Sequence, residues 1–499
     1  MTSLPLYALF RTLTVRIFIG VVACTQLPQA LFAGAASNVI RVNVTSQAFD
    51  FSRPWSKKAP FTRQALGAVL KDNRVLVTAE CVANATYIEL ESADGDRKQA
   101  ASVESVDYEA NLALLLPEKD GSILEGQSGL KVTSAKVGDS LTVWQLEANG
   151  NLIVSKGQMT TAEVNRYPID DSSFLIYRMS VPLQMRNAFA TLPVIKEGQL
   201  VGLLLRYESS SNLLDVIPGP VIEHFLRDTQ KKPYDGFPRL GLSFGSTRDP
   251  QLRRYLKIES QKGGVLVTQT RQSGPAAEAG IEKGDVILEM DGQPLDADGN
   301  YMDPDYGKIS LGHLVCTKHF VGETIPVRIV RDGKTEQRSI HVRRHPPEKF
   351  LSPPYVFDQA PRFYVLGGLV LQELSRTFLK EFGNDWARKA PLELVNVDST
   401  QSEMDGDPRE RVVFLSRVLP SQVTIGYESL RFQVVKAING VQLKSLLDVP
   451  EAVAQVKDGV HVVELSGDPS RVFIDASAAE QANPTLLQSY RIPSLSRLK

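Results

Sequence analysis

Residues 74–82 read Arg74-Val75-Leu76-Val77-Thr78-Ala79-Glu80-Cys81-Val82, an apolar run that stops at a hydroxyl and continues with small residues and one acid. Residues 75–78 read as a short β run. Outward from it lie further runs of the same kind, at 39–44, 65–70, 87–90 and 112–116, then at 140–144, 174–179 and 200–205. Short strands at close spacing, punctuated by turns, are an all-β signature, a sandwich or a barrel. Residues 218–225 read as a helix with proline near its start, and the charged, proline-bearing stretch 227–238 as a linker. Beyond it come Arg239-Leu240-Gly241-Leu242-Ser243-Phe244, a β run at 264–270, a short helix at 274–279 stopped by Gly280, and a β run at 285–290 before the turn Asp291-Gly292. Residues 434–443 echo 286–295, including Asn439-Gly440 against Asp291-Gly292, so the chain carries an internal duplication. Between the copies, 344–361 is rich in proline and breaks periodicity.

The bulk numbers agree with several folded units. At 499 residues, 42% hydrophobic and 23% charged, the chain is ordinary globular material and too long for one core. Lys and Arg (56) nearly cancel Asp and Glu (57), which leaves no global basic field for nucleic acid or an anionic membrane surface. Arg11, Arg16, the apolar run from Ile17 to Ala23 and the small-residue pattern Ala33-Gly34-Ala35 read as a secretory signal. Gln26, Pro28 and Gln29 interrupt that region too early for a membrane span. Val21-Val22-Ala23-Cys24 also resembles a lipoprotein processing site that would acylate Cys24, so soluble and lipid-anchored export both stay open. After cleavage Cys81 and Cys316 remain, too distant for a disulfide framework or a zinc cluster, and the six histidines form no metal-binding motif. No metal and no cofactor is expected.

Three stretches together resemble the HtrA/Deg serine proteases. Residues 74–82 are similar to the family strand that ends in the catalytic histidine, and Glu80 stands at that position. Asp107-Tyr108-Glu109-Ala110-Asn111-Leu112-Ala113-Leu114-Leu115 is similar to the segment in which the catalytic aspartate precedes Leu/Ile-Ala-Leu-Leu, and Asn111 stands there. Residues 187–202 resemble the nucleophile loop and the hairpin after it; alignment on Pro193 puts Ala190 at the serine position, and a shift by one residue puts Phe189 there. The resemblance extends through Phe49 to Trp55 and to the C-terminal end, and is closest to long members with two PDZ units. It implies a mainly β fold, a trypsin-like double β-barrel followed by two PDZ (α+β) domains. The boundaries expected are a signal peptide over 1–35, a degenerate protease-like domain over 36–230, a first PDZ domain over 231–345, a linker over 346–361 and a second PDZ-like domain over 362–499.

A serine triad needs a base with a pKa near neutrality within hydrogen-bond reach of the nucleophile. No histidine precedes His224, which falls in the expected closing helix, and between Val181 and Leu205 the only hydroxyl is Thr191. Ala188, Phe189, Thr191 and Leu192 fill places where the family keeps glycines around its oxyanion hole, so side chains occupy that volume. Cys81 beside Glu80 reads as a buried structural cysteine rather than a nucleophile. The catalytic set is therefore expected to be absent.

What the resemblance retains is peptide capture. A PDZ unit takes an extended chain end as an added strand and holds its carboxylate on loop amides. By resemblance that loop is Arg239, Leu240, Gly241 and Leu242, with Phe244 continuing the ligand-pairing strand; His313 is left unassigned. The expected protein binds peptide or protein C-termini, as a homo-oligomer or with an active relative, in the periplasm or cell envelope. A chaperone for unfolded exported proteins belongs to the same class. The competing class is an active serine endopeptidase of protein quality control whose residues lie elsewhere.

Overall fold

The computed structural model describes residues 38–118, 123–169, 172–183, 190–400 and 407–499. The signal and lipoprotein readings, with Cys24, and the loop positions Ala188 and Phe189 lie outside the described residues.

Two closed six-stranded barrels come first. Strands β1 (Val39–Ser46), β2 (Phe61–Val69), β3 (Val75–Val77), β4 (Ala85–Glu91), β5 (Lys98–Asp107) and β6 (Leu112–Pro117) close in the order β1-β2-β3-β6-β5-β4. Strands β7 (Ser140–Leu146), β8 (Leu152–Arg166), β9 (Ser173–Ser180), β10 (Pro193–Lys196), β11 (Gln199–Glu208) and β12 (Leu213–Pro218) close in the order β10-β11-β12-β9-β8-β7. Closure removes the sheet edges; Ile40, Val42, Leu90 and Leu115 fill the first barrel, and Phe174, Ile176, Leu203 and Val216 are buried on the strands of the second. Gly67 is required by that packing, because a Cβ there would stand 2.3 Å from Val75 Cγ1. Between β3 and β4 a single turn of helix, α1 (Ala79–Val82), carries Glu80. The helix α2 (Gly219–Asp228), started by Pro220, lays Val221, Ile222 and Phe225 against the second barrel.

Two α+β units follow. In the first, β13 (Leu242–Gly245), β14 (Val265–Thr270), β15 (Val286–Met290), β16 (Gln293–Pro294), β17 (Asn300–Asp303), β18 (Gly307–Ser310), β19 (Thr324–Arg331) and β20 (Lys334–His341) surround α3 (Leu311–Lys318). The main sheet runs β13-β14-β15-β19-β20, with β13 at its end. In the second, β21 (Phe363–Leu366), β22 (Leu369–Glu373), β23 (Val413–Val418), β24 (Gln433–Ile438), β25 (Val441–Gln442), β26 (Val460–Leu465), β27 (Arg471–Asp475) and β28 (Ser496–Arg497) form the path β27-β26-β24-β23-β22-β21-β28. The duplication read from 286–295 and 434–443 is the β15-turn-β16 element and its β24-turn-β25 copy, each turning through a positive-φ Asp291 or Asn439.

The units are not beads on a string. One apolar core runs from the barrels, through Phe174, Tyr177 and Phe225, into the first α+β unit at Phe237, Leu311, Leu314 and Val315, while the second unit has cores of its own. The stretches at 227–238 and 346–361 carry no strand and are packed rather than free: Phe237 is fully buried, and Tyr355 and Phe357 lie 5.3 and 4.7 Å from the Tyr108 ring. Residues 49–58, between β1 and β2, reach the second unit. Phe51 joins Leu374 and Phe378, Trp55 meets Phe363 edge-on at 5.9 Å, and Lys58 pairs with Glu381 at 2.7 Å.

Candidate functional site

Two places were singled out by the sequence, the seam between the barrels and the loop ahead of β13. At the seam, β3 delivers Thr78 and α1 delivers Glu80, while the turn from β5 to β6 delivers Asn111. Asn111 is fully buried and takes a left-handed φ of 54°, a conformation that asparagine tolerates better than most residues. Its Oδ1 accepts the Glu80 backbone N–H at 2.9 Å, and its Nδ2 has no hydrogen-bond partner among the described residues. Burial raises the Glu80 carboxyl above the usual range, while Asn111 and then the Arg63 charge pull it partly back; the Arg63 guanidinium also donates to the Glu80 carbonyl.

From the other barrel, Ala190 donates its N–H to the Gln64 carbonyl at 2.9 Å and packs on the first barrel's core. Thr191 is fully buried. Its hydroxyl lies 2.6 Å from that of Thr78 and accepts the Thr78 N–H at 3.1 Å, so it is consumed in joining the barrels. The Cys81 thiol is buried and pushed up to about 12 by burial, which keeps it protonated. The structure therefore brings Glu80, Asn111 and the Ala190-Thr191 pair to one seam. None of the three named positions offers an imidazole or a free hydroxyl. His224 sits in α2 as expected, stacked between Phe237 and Phe320 at 4.3 and 4.1 Å, and burial lowers it to about 4.

Residues 107–111 do more than carry Asn111. Asp107 accepts from the Ala110 N–H at 2.8 Å and the Tyr234 hydroxyl at 2.6 Å, and Tyr108 donates to Asp358 in the proline-rich strap. Glu109, 4% exposed, is held by Arg239 at 3.0 Å and Arg344 at 2.9 Å. Sequence reasoning missed Glu109, since an acid in a polar loop reads as solvated and its partners lie 130 and 235 residues away.

Ahead of β13, Gly241 turns the chain with φ 71°, and a Cβ there would stand 3.0 Å from both Gly274 Cα and Pro275 Cδ. The Leu240 and Gly241 carbonyls accept from Ala276 and Arg271 at 2.9 Å, which pins the loop while their own amides donate to no described group. Arg239, Leu240, Gly241, Leu242 and Ser243 line a cavity of about 330 Å³ together with Glu109, Arg271 and Phe350. Phe244 does not line it. It lies in β13, over Gly299 on the α3 side of the sheet. His313, on α3, is buried within 3.8 Å of Asp303 and edge-on to Tyr306, and burial lowers it to about 4. Among the described residues no group of three or more His, Cys, Asp or Glu is placed to hold a metal, and no helix is long and apolar enough to cross a membrane.

Comparison with known proteins bears on the whole arrangement. Two PDZ-domain family profiles match, one over residues 238–342 and one over 352–496. Protease Do-like 2, chloroplastic, from Arabidopsis thaliana is 27% identical over 463 residues, covering 91% of this chain and 74% of that protein. The Serine protease DegP homolog of Plasmodium falciparum is 20% identical over 508 residues, covering 81% of this chain and 57% of that protein. A solved structure of the HtrA-type protease AlgW, in a variant form with a decapeptide, superposes with a TM-score of 0.50 at 18% identity, over 63% of this chain and 98% of that one.

Proposed function

We propose that this chain, an HtrA/Deg-type homologue built as a trypsin-like double barrel followed by two PDZ domains, works as a non-catalytic peptide-binding and assembly protein rather than as a protease. The observation that carries this reading is the chemistry of the barrel seam. A hydrolytic triad needs a side chain that takes a proton from the nucleophile and returns it to the leaving amine. The barrels contain no histidine at all, and the carboxyl at the corresponding place, Glu80, has its main chain bound to a neutral amide, Asn111. The remaining hydroxyl, that of Thr191, is spent on Thr78. Peptide capture falls to the first PDZ domain, where the Leu240 and Gly241 amides donate to no described group just ahead of the terminal strand β13. The N-terminal segment supports export, and assembly with copies of itself or with an active relative fits a chain that binds without cutting.

The test is hydrolysis of an unfolded casein-like substrate by the purified chain, with the expected result no cleavage. Cleavage that disappears in Thr191→Ala, with the fold intact by circular dichroism, would restore the endopeptidase reading. Installing Glu80→His, Asn111→Asp and Ala190→Ser together is expected to give little turnover, because oxyanion donors supply a separate contribution of about 3 kcal/mol each. Robust turnover by that triple variant would show that residues 188–192 still present those donors.

A further inference from the structure

The cavity of about 330 Å³ beside the Leu240–Leu242 loop belongs to one face of the sheet. Ser243 and its register partner Gln269 both line it, whereas Phe244 lies over Gly299 on the α3 side. Its far wall comes from outside the PDZ fold: Pro347, Phe350 and Pro354 belong to the proline-rich stretch that leads to the second PDZ domain. The charged groups around the cavity already have partners. Glu109 is held by Arg239 at 3.0 Å and by Arg344 at 2.9 Å, Arg376 pairs with Asp398 at 3.0 Å, and Arg271 donates to His345 Nε2. Burial first, then Arg271 and Lys349, lowers His345 to about 4, so that nitrogen accepts as part of a neutral imidazole. What the wall still offers is the half-buried Phe350 ring. The Arg271 guanidinium lies 5.3 Å from its centroid and His345 meets it edge-on at 4.6 Å, which makes a short stack of planar groups beside two buried prolines.

Register decides which ligand residue reaches that stack. A chain end added antiparallel to β13, with its carboxylate on the Leu240 and Gly241 amides, has its last residue beside Leu242 and its penultimate residue opposite Ser243. Directly opposed residues of an antiparallel pair share a face, and successive residues of a strand alternate. The penultimate side chain therefore faces the cavity, and its two neighbours in the ligand face the α3 side. Resting on the peptide-binding reading above, we infer that the first PDZ domain selects chain ends with an aromatic penultimate residue, whose ring enters the cavity and packs on Phe350 of the stretch joining the two PDZ domains. A small side chain there would leave the cavity unfilled, and a charged one would be drawn from water toward groups already paired with one another. The selectivity thus comes from the joining stretch rather than from the PDZ fold itself.

The experiment uses the full chain and fluorescent decapeptides of one sequence whose penultimate residue is Trp, Ala or Glu, each with a free or an amidated C-terminus. Expected are at least tenfold tighter binding of the free Trp peptide than of the free Ala or Glu peptide, a ratio that holds between about 50 mM and 500 mM salt because ring burial is not screened, and a smaller ratio in Phe350→Ala. Changing the last residue, which faces α3, should have the same effect on the unaltered chain and on Phe350→Ala. A benzophenone-bearing residue at the penultimate position should crosslink to residues 345–354, and crosslinking to α3 instead overturns the register. Equal or tighter binding of the Ala or Glu peptide, with amidation still weakening it, overturns the aromatic preference and leaves carboxylate capture standing. A Trp preference that amidation does not weaken overturns the register, which depends on the carboxylate, and one that Phe350→Ala leaves unchanged overturns the assignment to this cavity. No binding of any peptide sinks the peptide-binding reading itself and the inference with it. Should Phe350→Ala fail to fold, the crosslink on the unaltered chain still decides.

Discussion

The two PDZ domains share an ancestor-like plan and differ at one edge. In the first, β13 is the last strand of its sheet and its outer side is open to an added strand. In the second, the strand in the corresponding place, β22, is already paired with β21 from Leu369↔Leu366 to Gln372↔Phe363, and β21 is in turn paired with β28. Val365 donates to Leu495 at 2.7 Å, and Arg497 donates to the Pro54 carbonyl at 3.0 Å, so the chain's own last strand and residues 49–58 of the first barrel seal the second domain together. The difference teaches that one module can be offered to partners while its copy is used up as structure. A free edge is a binding site only while nothing in the same chain reaches it.

The comparison breaks most severely at Glu109, which couples the first PDZ domain to the first barrel. Glu109→Ala leaves Arg239 and Arg344 partly buried without their shared carboxylate and is expected to cost about 3–5 kcal/mol. Chemical denaturation should show it, and no measurable loss would mean that the two domains dock without this contact. Glu109→Gln, which keeps the shape, should lose less.

Acid should loosen the same domain next. His224 faces Phe237, Phe320, the Thr317 carbonyl, Arg227 and Glu323, and His313 faces Tyr306, Asp303 and Lys318. Both pKa values are lowered to about 4 from an ordinary 6.5, so their neutral forms contribute stability that is complete above pH 6.5 and is lost as pH falls through 4. Each should account for about 2 kcal/mol at pH 5. The difference in Tm between pH 7 and pH 5 should shrink in His224→Phe and in His313→Phe; an unchanged difference would show that these rings are not the acid-sensitive groups.

In the second domain the expected effects are smaller. Removing residues 495–499 should expose β21 and cost about 1–2 kcal/mol through two lost backbone hydrogen bonds and the Arg497 contacts. Hydrogen exchange at Val365 and Tyr364 should rise while β13 stays unchanged, and a rise at both edges would deny that the seal is local. Smallest is Glu80→Gln. Because the Glu80 pKa is raised, the charged form is disfavoured as pH rises, so the amide should stabilise the chain by about 1 kcal/mol or less at pH 8 and not at all at pH 4. A destabilised Glu80→Gln would reveal a use for that charge.

Much of this plan was legible in residue patterns and some was not. The runs at 75–78, 112–116 and 200–205 became strands because β-branched and leucine residues there face a closed lumen, and the Asp-Gly and Asn-Gly turns betrayed the duplication. The strand β8, at 15 residues the longest, escaped because its face is only partly buried and its apolar residues do not alternate. Two-residue strands such as β28 carry no period to detect. Charge partners such as Glu109 with Arg344 escape for another reason: they lie on separate units, 235 residues apart in the chain. Phe244, expected on the ligand-pairing strand, lies in β13, where the register shifts between Ser243 and Phe244.

The apolar core shared by the barrels and the first PDZ domain has a consequence for how the molecule melts. A scanning calorimeter should register the barrels and the first PDZ domain as one cooperative transition, with the second PDZ domain able to melt apart from it. The first PDZ domain excised at residues 239–344 would lose the β9 and α2 surface against which α3 packs, and as an autonomous fragment it should behave as a sticky, poorly cooperative one.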